Sequence, residues 1–405
     1  MENRSSLEKT IHSIVAEKKC TACCACESAC PTRCINVTQD EEGFASPRID
    51  YERCIFCGTC RAHCHMAMGV PSTAPEQGYV AIANDAILRA SSTSGGVFAL
   101  LGLRALEAGA VVFGAAFDGE LHVVHTAVSD VCGLQRLQGS KYVQSDMRGV
   151  YGLVFRELKS GREVLFSGTP CQVAGLKAFL GEDCSGLTTV DVICHGVPSP
   201  GFWEWYVKQR IGDEVAGRTA SATFRLKESN DKYGYTLKLE VDGSIAKTPG
   251  ELDLYYALFL SGSSLRECCY SCPYARLSRC SDITIGDCGS FHEYGNFFPY
   301  EVTSAVLINT AKGAQAISAL GSALSKTELD IEGEARSNAQ LRNPTPRPPV
   351  RDVIYKELAT KPFDDLIERY TVHYSMGGRV KNLLKRATPW RLRARIKSLV
   401  GEKRP

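Results

Sequence analysis

No stretch of this 405-residue sequence is long and apolar enough to span a bilayer. Val97–Phe117 comes nearest, but Arg104 and Glu107 interrupt it and Asp118 closes it. No apolar leader opens the chain, since Met1–Lys19 is polar and of mixed charge. No recognised nucleic-acid module is present, and cysteine supplies the one internal repeat. These absences predict a cytoplasmic protein without a nucleic-acid partner. The composition, 44% hydrophobic and 23% charged, is that of a globular protein of two or three domains. Cysteine is plentiful: 19 residues, an odd count. Without an export signal, such a count predicts metal-bound thiolates in a reducing compartment rather than disulfides.

The cysteines begin as Cys20-x2-Cys23-x2-Cys26-x3-Cys30-Pro31 and continue as Cys54-x2-Cys57-x2-Cys60-x3-Cys64. This is the bacterial-ferredoxin spacing, written twice. The tight C-x2-C-x2-C turn supplies three thiolates to one cubane, and the fourth cysteine of each run ligates the other cluster. Cys20, Cys23, Cys26 and Cys64 should therefore hold one [4Fe–4S] cluster, and Cys54, Cys57, Cys60 and Cys30 a second. Zinc has no need of the third and fourth cysteines at these offsets. The second run ends in His65 where ferredoxins usually carry proline, which predicts a looser turn and altered solvent access there. Cys24 and Cys34 fall outside the spacing and read as small packing residues. Residues 1–75 form this two-cluster module, with Val70–Pro75 as its linker.

Beyond it, Ser94-Gly95-Gly96 precedes a helical pattern (Val97, Leu100, Leu101, Leu106), with Ser94 as the expected N-cap. Small residues at a helix start leave amides able to meet an anion such as a pyrophosphate, although such a loop is as often a plain linker. Ala110–Phe117 and Leu121–Val128 read as strands about an Asp118-Gly119 turn. Two strand–loop–helix units follow. Glu163–Phe166 runs into Gly168-Thr169-Pro170-Cys171 and a helix to Leu180; Thr188–Ile193 runs into Cys194-His195-Gly196 and a helix from Pro200. Thr169 suits the N-cap and Pro170 the first helical position, so Cys171 sits in the first turn, where the dipole should lower its pKa. Successive units of this kind imply an α/β sheet whose loops meet at the strands' carboxyl ends. Cys171 and Cys194 should then face one crevice. Residues 219–248 alternate as a hairpin or meander, and a helix spans about 253–260. Cys269-x2-Cys272 is half a metal site. Cys171 and Cys194 complete it as a third [4Fe–4S] cluster; the competing readings are a zinc on Cys269, Cys272, Cys280 and Cys288, or free thiols. His195 reads first as a structural donor to a carbonyl or sulfur, and second as a proton carrier.

Five segments in this order, Ser94-Gly95-Gly96-Val97-Phe98, Gly139-Ser140-Lys141-Tyr142-Val143-Gln144, Ser167–Gln172, Val190–Pro198 and Ser281–Asp287, resemble the coenzyme F420 hydrogenase/dehydrogenase beta-subunit family. The resemblance spans Cys20–Gly289. It implies an FAD-containing iron–sulfur oxidoreductase, with flavin contacts at Ser94, Gly95, Gly96, Lys141, Tyr142, Gln144, Gly168, Thr169 and Pro170. It also supports a cluster on Cys171, Cys194, Cys269 and Cys272 beside the flavin. Electrons would pass between a hydride carrier such as coenzyme F420, the flavin, the clusters and a redox partner protein, in either direction. The alternative is an electron-transfer subunit with no small-molecule substrate of its own. One departure is Cys288-Gly289-Ser290-Phe291, where the family usually has an aromatic pair and glycine, which leaves the identity of the hydride carrier open.

The expected architecture is multidomain, α+β and α/β. A bacterial-ferredoxin-like domain (1–75) precedes an α/β flavin-binding domain (76–335), and a Pro-rich linker with a small helical basic extension (336–405) closes the chain. From Arg379 to Pro405 ten Lys/Arg face one Glu, so the tail carries +9 and the rest of this +2 chain carries −7. Its interleaved apolar residues suit an amphipathic segment on the anionic inner membrane face, or equally a helix docked on the body or an acidic partner.

Overall fold

The computed structural model describes residues 7–181, 184–212, 217–227, 235–298 and 301–373. The basic tail from Arg379 lies outside the described residues. In chain order, β1 (Ile35–Gln39) and β2 (Ala45–Ile49) form a hairpin. Next come β3 (Gln77–Ala83), β4 (Val111–Phe117), β5 (Val123–Val128), β6 (Val164–Gly168) and β7 (Leu187–Val192). A small antiparallel sheet follows, of β8 (Ala220–Thr223), β9 (Thr236–Val241) and β10 (Ser244–Pro249). The strands end with β11 (Ile283–Asp287), β12 (Ser304–Ile308) and β13 (Leu324–Glu328).

The main sheet is mixed, with eight strands in the order β13-β3-β12-β11-β7-β6-β4-β5. Its centre, β11-β7-β6-β4, is parallel. β5 and β12 flank it antiparallel, and β3 and β13 extend the β12 side in alternating sense. Central strands such as Val111–Phe117 are almost continuously apolar because helices cover both faces. Val97–Glu107, Val131–Leu137 and Ala311–Ser318 pack on one face around Leu101, Leu134 and Ile317. Val150–Lys159 and Pro170–Leu180 pack on the other around Val154, Phe166 and Leu176.

The two βα units form as the sequence implies. Thr169 and Gln172 make a reciprocal capping box with Pro170 in the first turn, and Ser199 caps the next helix by accepting from the Phe202 amide. At Val97 the cap is different. Gly96, left-handed at φ +86°, opens that helix in place of Ser94. Ser94 is drawn aside because its hydroxyl donates to the Thr303 carbonyl, while the Gly95 amide donates to Ser304.

Segments on either side of the expected domain boundaries pack against one another. Cys23, Cys24 and Ala25 belong to the same core as Phe166 and Leu176. Thr73, in the expected linker, exchanges two backbone hydrogen bonds with Arg279. Beyond the Pro-rich segment, Arg351–Thr360 and Phe363–Tyr370 bury Ile354, Leu358 and Leu366 against Phe202, Trp203 and Tyr255. Arg351 also pairs with Glu42 at 2.8 Å. Among the described residues no helix is long and apolar enough to cross a membrane.

Candidate metal and cofactor site

The two cysteine runs curl in the same way. Ala22 and Cys24 flank Cys23 at φ +53° and +64°; Phe56 and Gly58 flank Cys57 at +51° and +80°. A non-glycine residue held there costs about 1–3 kcal/mol, a strain that persists where function requires it. The curl brings amides to sulfur: the Ala22 amide lies 3.4 Å from Cys20 Sγ. Cys20, Cys23, Cys26 and Cys64 line one cavity, with Ile11, Ile14, Val15 and Val37 around them. These are three cysteines of the first run and the last of the second, the crossed set that a two-cluster module needs. Burial raises the thiols of Cys20 and Cys26 and pushes Cys23 up to about 12. Thiols so buried become thiolates only beside a compensating cation such as a bound metal.

The second set is more open. Cys57 is exposed and its neighbour Ile55 is 65% exposed. The Thr59 hydroxyl lies 3.2 Å from Cys57 Sγ and holds that thiol below its usual range. Cys34 does more than pack: its amide and its thiol lie 3.4 and 3.5 Å from Cys30 Sγ. His65 does not loosen its turn. It starts the short helix His65–Met68 and is buried, with Nδ1 2.6 Å from the Tyr274 hydroxyl and Nε2 2.9 Å from Thr21 Oγ1. Among the described residues no three His, Cys, Asp or Glu side chains stand close enough to hold a single ion. A four-iron cube spreads its thiolates more widely than one ion spreads its donors.

Cys171 follows β6, and Cys194 follows its parallel neighbour β7. The 265–272 segment folds back over them. Arg266 N donates to Val197 O and Cys269 N to Arg266 O, both at 2.9 Å. A Cβ at Gly196 would lie 3.3 Å from that of Cys269. Cys171 and Cys194 each feel the charge of Cys272, and Cys269 that of Cys194. The dipole expectation for Cys171 is overturned: burial, with Cys272 beside it, drives its pKa well above the ordinary thiol value despite Thr169 Oγ1 at 3.2 Å. Burial likewise pushes Cys194 up to about 12. Arg279, 1% exposed, acts on Cys194 and Cys272, and its Nε and Nη2 find no hydrogen-bond partner among the described residues. A buried cation with spare donors suits a thiolate cluster of net negative charge. The zinc alternative is disfavoured, because the Cys280 thiol donates to Pro170 O while Cys288 packs in another core beside Ser290 and Glu334.

The expected flavin residues gather along the same sheet edge, several with their polar groups engaged. The Ser94 loop is fastened to Thr303 and Ser304, which oppose the end of β11. Thr93 bonds Ser140, joining this loop to the 139–144 segment. Lys141 Nζ donates to Arg136 O and Gln138 O, and burial with the Arg136 charge holds it down to about 7. Tyr142 stacks on Phe259 at 4.5 Å, and its hydroxyl accepts from Arg225. Gly168, at the end of β6, leaves only 3.0 Å between an added Cβ and Gln172 Oε1. The Gln144 amide donates to Thr21 O and accepts from Arg266, which ties the N-terminal module to the body.

Sequence reading missed Arg225 and Lys227, cations brought to this edge by the small sheet. Burial and the neighbouring Arg225 push Lys227 down to about 8, against the opposing charges of Asp287 and Glu301. It also missed His125, whose ring bridges Ser145 and the Ser167 carbonyl. Neither lies in a spacing pattern; only the fold brings them near. His195 Nε2 donates to Phe259 O, and burial keeps the ring neutral, which favours its structural role. The altered Cys288-Gly289-Ser290 edge is stapled by buried Glu334, which accepts from both the Gly289 and Ser290 amides.

Residues 161–332 match the family of the C-terminal part of the coenzyme F420 hydrogenase/dehydrogenase beta subunit. No curated protein is matched. Among solved structures, a chain of the xenon-derivatized F420-reducing [NiFe] hydrogenase complex from Methanosarcina barkeri is similar at a TM-score of 0.44 and 17% identity, covering 73% of this chain and 91% of that one.

Proposed function

We propose that this chain belongs to the coenzyme F420 hydrogenase/dehydrogenase beta-subunit family, whose C-terminal part matches residues 161–332, and that it is an iron–sulfur flavoprotein oxidoreductase joining a hydride carrier of the F420 type to a redox partner protein. Cys20, Cys23, Cys26 and Cys64 hold one [4Fe–4S] cluster; Cys54, Cys57, Cys60 and Cys30 hold the second; Cys171, Cys194, Cys269 and Cys272 hold the third. FAD lies along the Ser94–Gly96, Lys141–Tyr142 and Gly168–Pro170 loops, with Arg225 and Lys227 facing its phosphates. When bound, the flavin exchanges electron pairs with a hydride carrier and single electrons with the clusters. The chain's own residues orient these groups, and its apolar walls keep water from the Cys20 set.

The observation that carries this reading is the single cavity lined by Cys20, Cys23, Cys26 and Cys64. Anaerobically purified protein should contain about twelve irons per chain and one flavin. Colourless protein would end the proposal. One feature favours a second reading, an electron-transfer subunit fed by another enzyme: the β11 edge carries the Glu334-stapled Cys288-Gly289-Ser290 turn in place of the family's aromatic pair. Bleaching of the flavin by reduced F420 or NAD(P)H supports the first reading, and bleaching only by a reduced protein donor supports the second.

A further inference from the structure

The seam between the N-terminal module and the body has a polarity. Of the contacts that cross it, three join the Cys20 set to segments that carry the other cysteines. The helix Pro170–Leu180, which carries Cys171, meets Cys23 through Gly175, where an added Cβ would lie 2.7 Å from Cys23 Sγ. That glycine lets a helix carrying one cysteine set touch a side chain of another. Arg266 is the second contact. Its carbonyl accepts from the Cys269 amide, while its buried guanidinium donates to Cys20 O at 2.7 Å. The third is the 2.6 Å hydrogen bond between His65, next to Cys64, and Tyr274, two residues past Cys272. The Cys57 loop faces away, exposed to solvent.

We infer that the Cys20/Cys23/Cys26/Cys64 site is the one that trades electrons with the Cys171/Cys194/Cys269/Cys272 site, and that Arg266 and Tyr274 are the residues that position this crossing. The inference rests on the iron–sulfur reading above. One electron leaves one site and one arrives at the other, and no bond or proton moves. Arg266 lies within electrostatic reach of both Cys20 and Cys269, so its fixed positive charge favours the reduced form at either end. The outer site is then the exit toward the partner protein.

The test uses full-length protein purified anaerobically, with iron counted and the reduced state followed by EPR. Cys57→Ala should cost about four irons and leave a spectrum still split by magnetic interaction between the two remaining sites. Arg266→Gln should keep all its iron and shift the midpoint of the Cys20 site to a more negative potential, and Arg266→Lys should restore it. Tyr274→Phe should keep its iron and slow the arrival of electrons at the Cys20 site after reduction at the flavin. Loss of the interaction in Cys57→Ala, an unmoved midpoint in iron-replete Arg266→Gln, or an unchanged rate in Tyr274→Phe would overturn the inference. Wild-type protein without iron would instead overturn the iron–sulfur reading beneath it.

Discussion

The guanidinium of Arg225 sits 2.9 Å from the carboxylate of Asp287, and this pair fastens the small β8–β10 sheet to the end of β11. The arginine side chain is 4% exposed and the aspartate 35%, so the partners are not equivalent. Removing the carboxylate takes a counter-charge from a buried cation, whereas removing the arginine leaves an aspartate that water can reach. Loss of one partner of a buried pair costs about 3–5 kcal/mol. Asp287→Asn should therefore approach that range in denaturant unfolding, and Arg225→Met should cost clearly less. Equal losses would show that the pair is not organised by burial.

Gly175→Ala forces a methyl group against Cys23 Sγ and the Tyr151 hydroxyl, each 2.7 Å from the ideal Cβ position. Overpacking of this kind costs about 1–3 kcal/mol. The variant should melt lower than wild type. A melting temperature that does not move would mean the seam is looser than drawn.

Cys171→Ala should remove about four irons per chain, while Cys288→Ala should remove none. Iron quantitation on anaerobic preparations reads both. Cys288 is the control because its thiol is occupied by Ser290 and Glu334. An iron count unchanged in Cys171→Ala would leave the third site without its ligand set.

Burial holds the His125 imidazole down to about 4, against 6.5 when unfolded. Between pH 6.5 and 4 the unfolded chain takes up a proton that the folded chain refuses. Stability should therefore fall on acidification through that window, by at most about 1.4 kcal/mol per pH unit for this one group, and should not depend on it above the window. His125→Gln should flatten the slope of unfolding free energy between pH 6.5 and 5. The slope is the informative quantity, since the substitution also disturbs the bonds to Ser145 and Ser167.

How much of this was legible in the sequence depends on how local each signal is. Thr169-Pro170 opens a helix because cap and first-turn chemistry act over four residues, and the parallel βα units that bring Cys171 beside Cys194 follow from that local pattern. Spacing alone groups Cys64 with Cys20, Cys23 and Cys26, and these four line one cavity. Strands β3, β12 and β13 were not read. They extend the sheet antiparallel through partners far away in the chain, Ala81 opposite Ser304 and Ala83 opposite Leu324. Ser94 failed as a cap for the same reason, since Thr303 takes its hydroxyl. Gln144 lies in the 139–144 segment that carries the family resemblance, yet its bonds go to Thr21 and Arg266, contacts that only the folded chain creates. The Pro-rich stretch suggested a boundary, but Arg351 beyond it reaches back to Glu42.

Ala22, Cys24 and Phe56 are bent into left-handed turns that their side chains resist. In a newly made chain lacking iron, only packing and hydrogen bonds oppose that resistance, and the N-terminal segment should be the first to come loose. Because Cys23 and Cys24 also plug the core beneath the Pro170–Leu180 helix, an unloaded segment would bare apolar surface on the body as well. Maturation would then act as a checkpoint: chains that miss their metal become protease substrates, and limited digestion before and after reconstitution would reveal the difference.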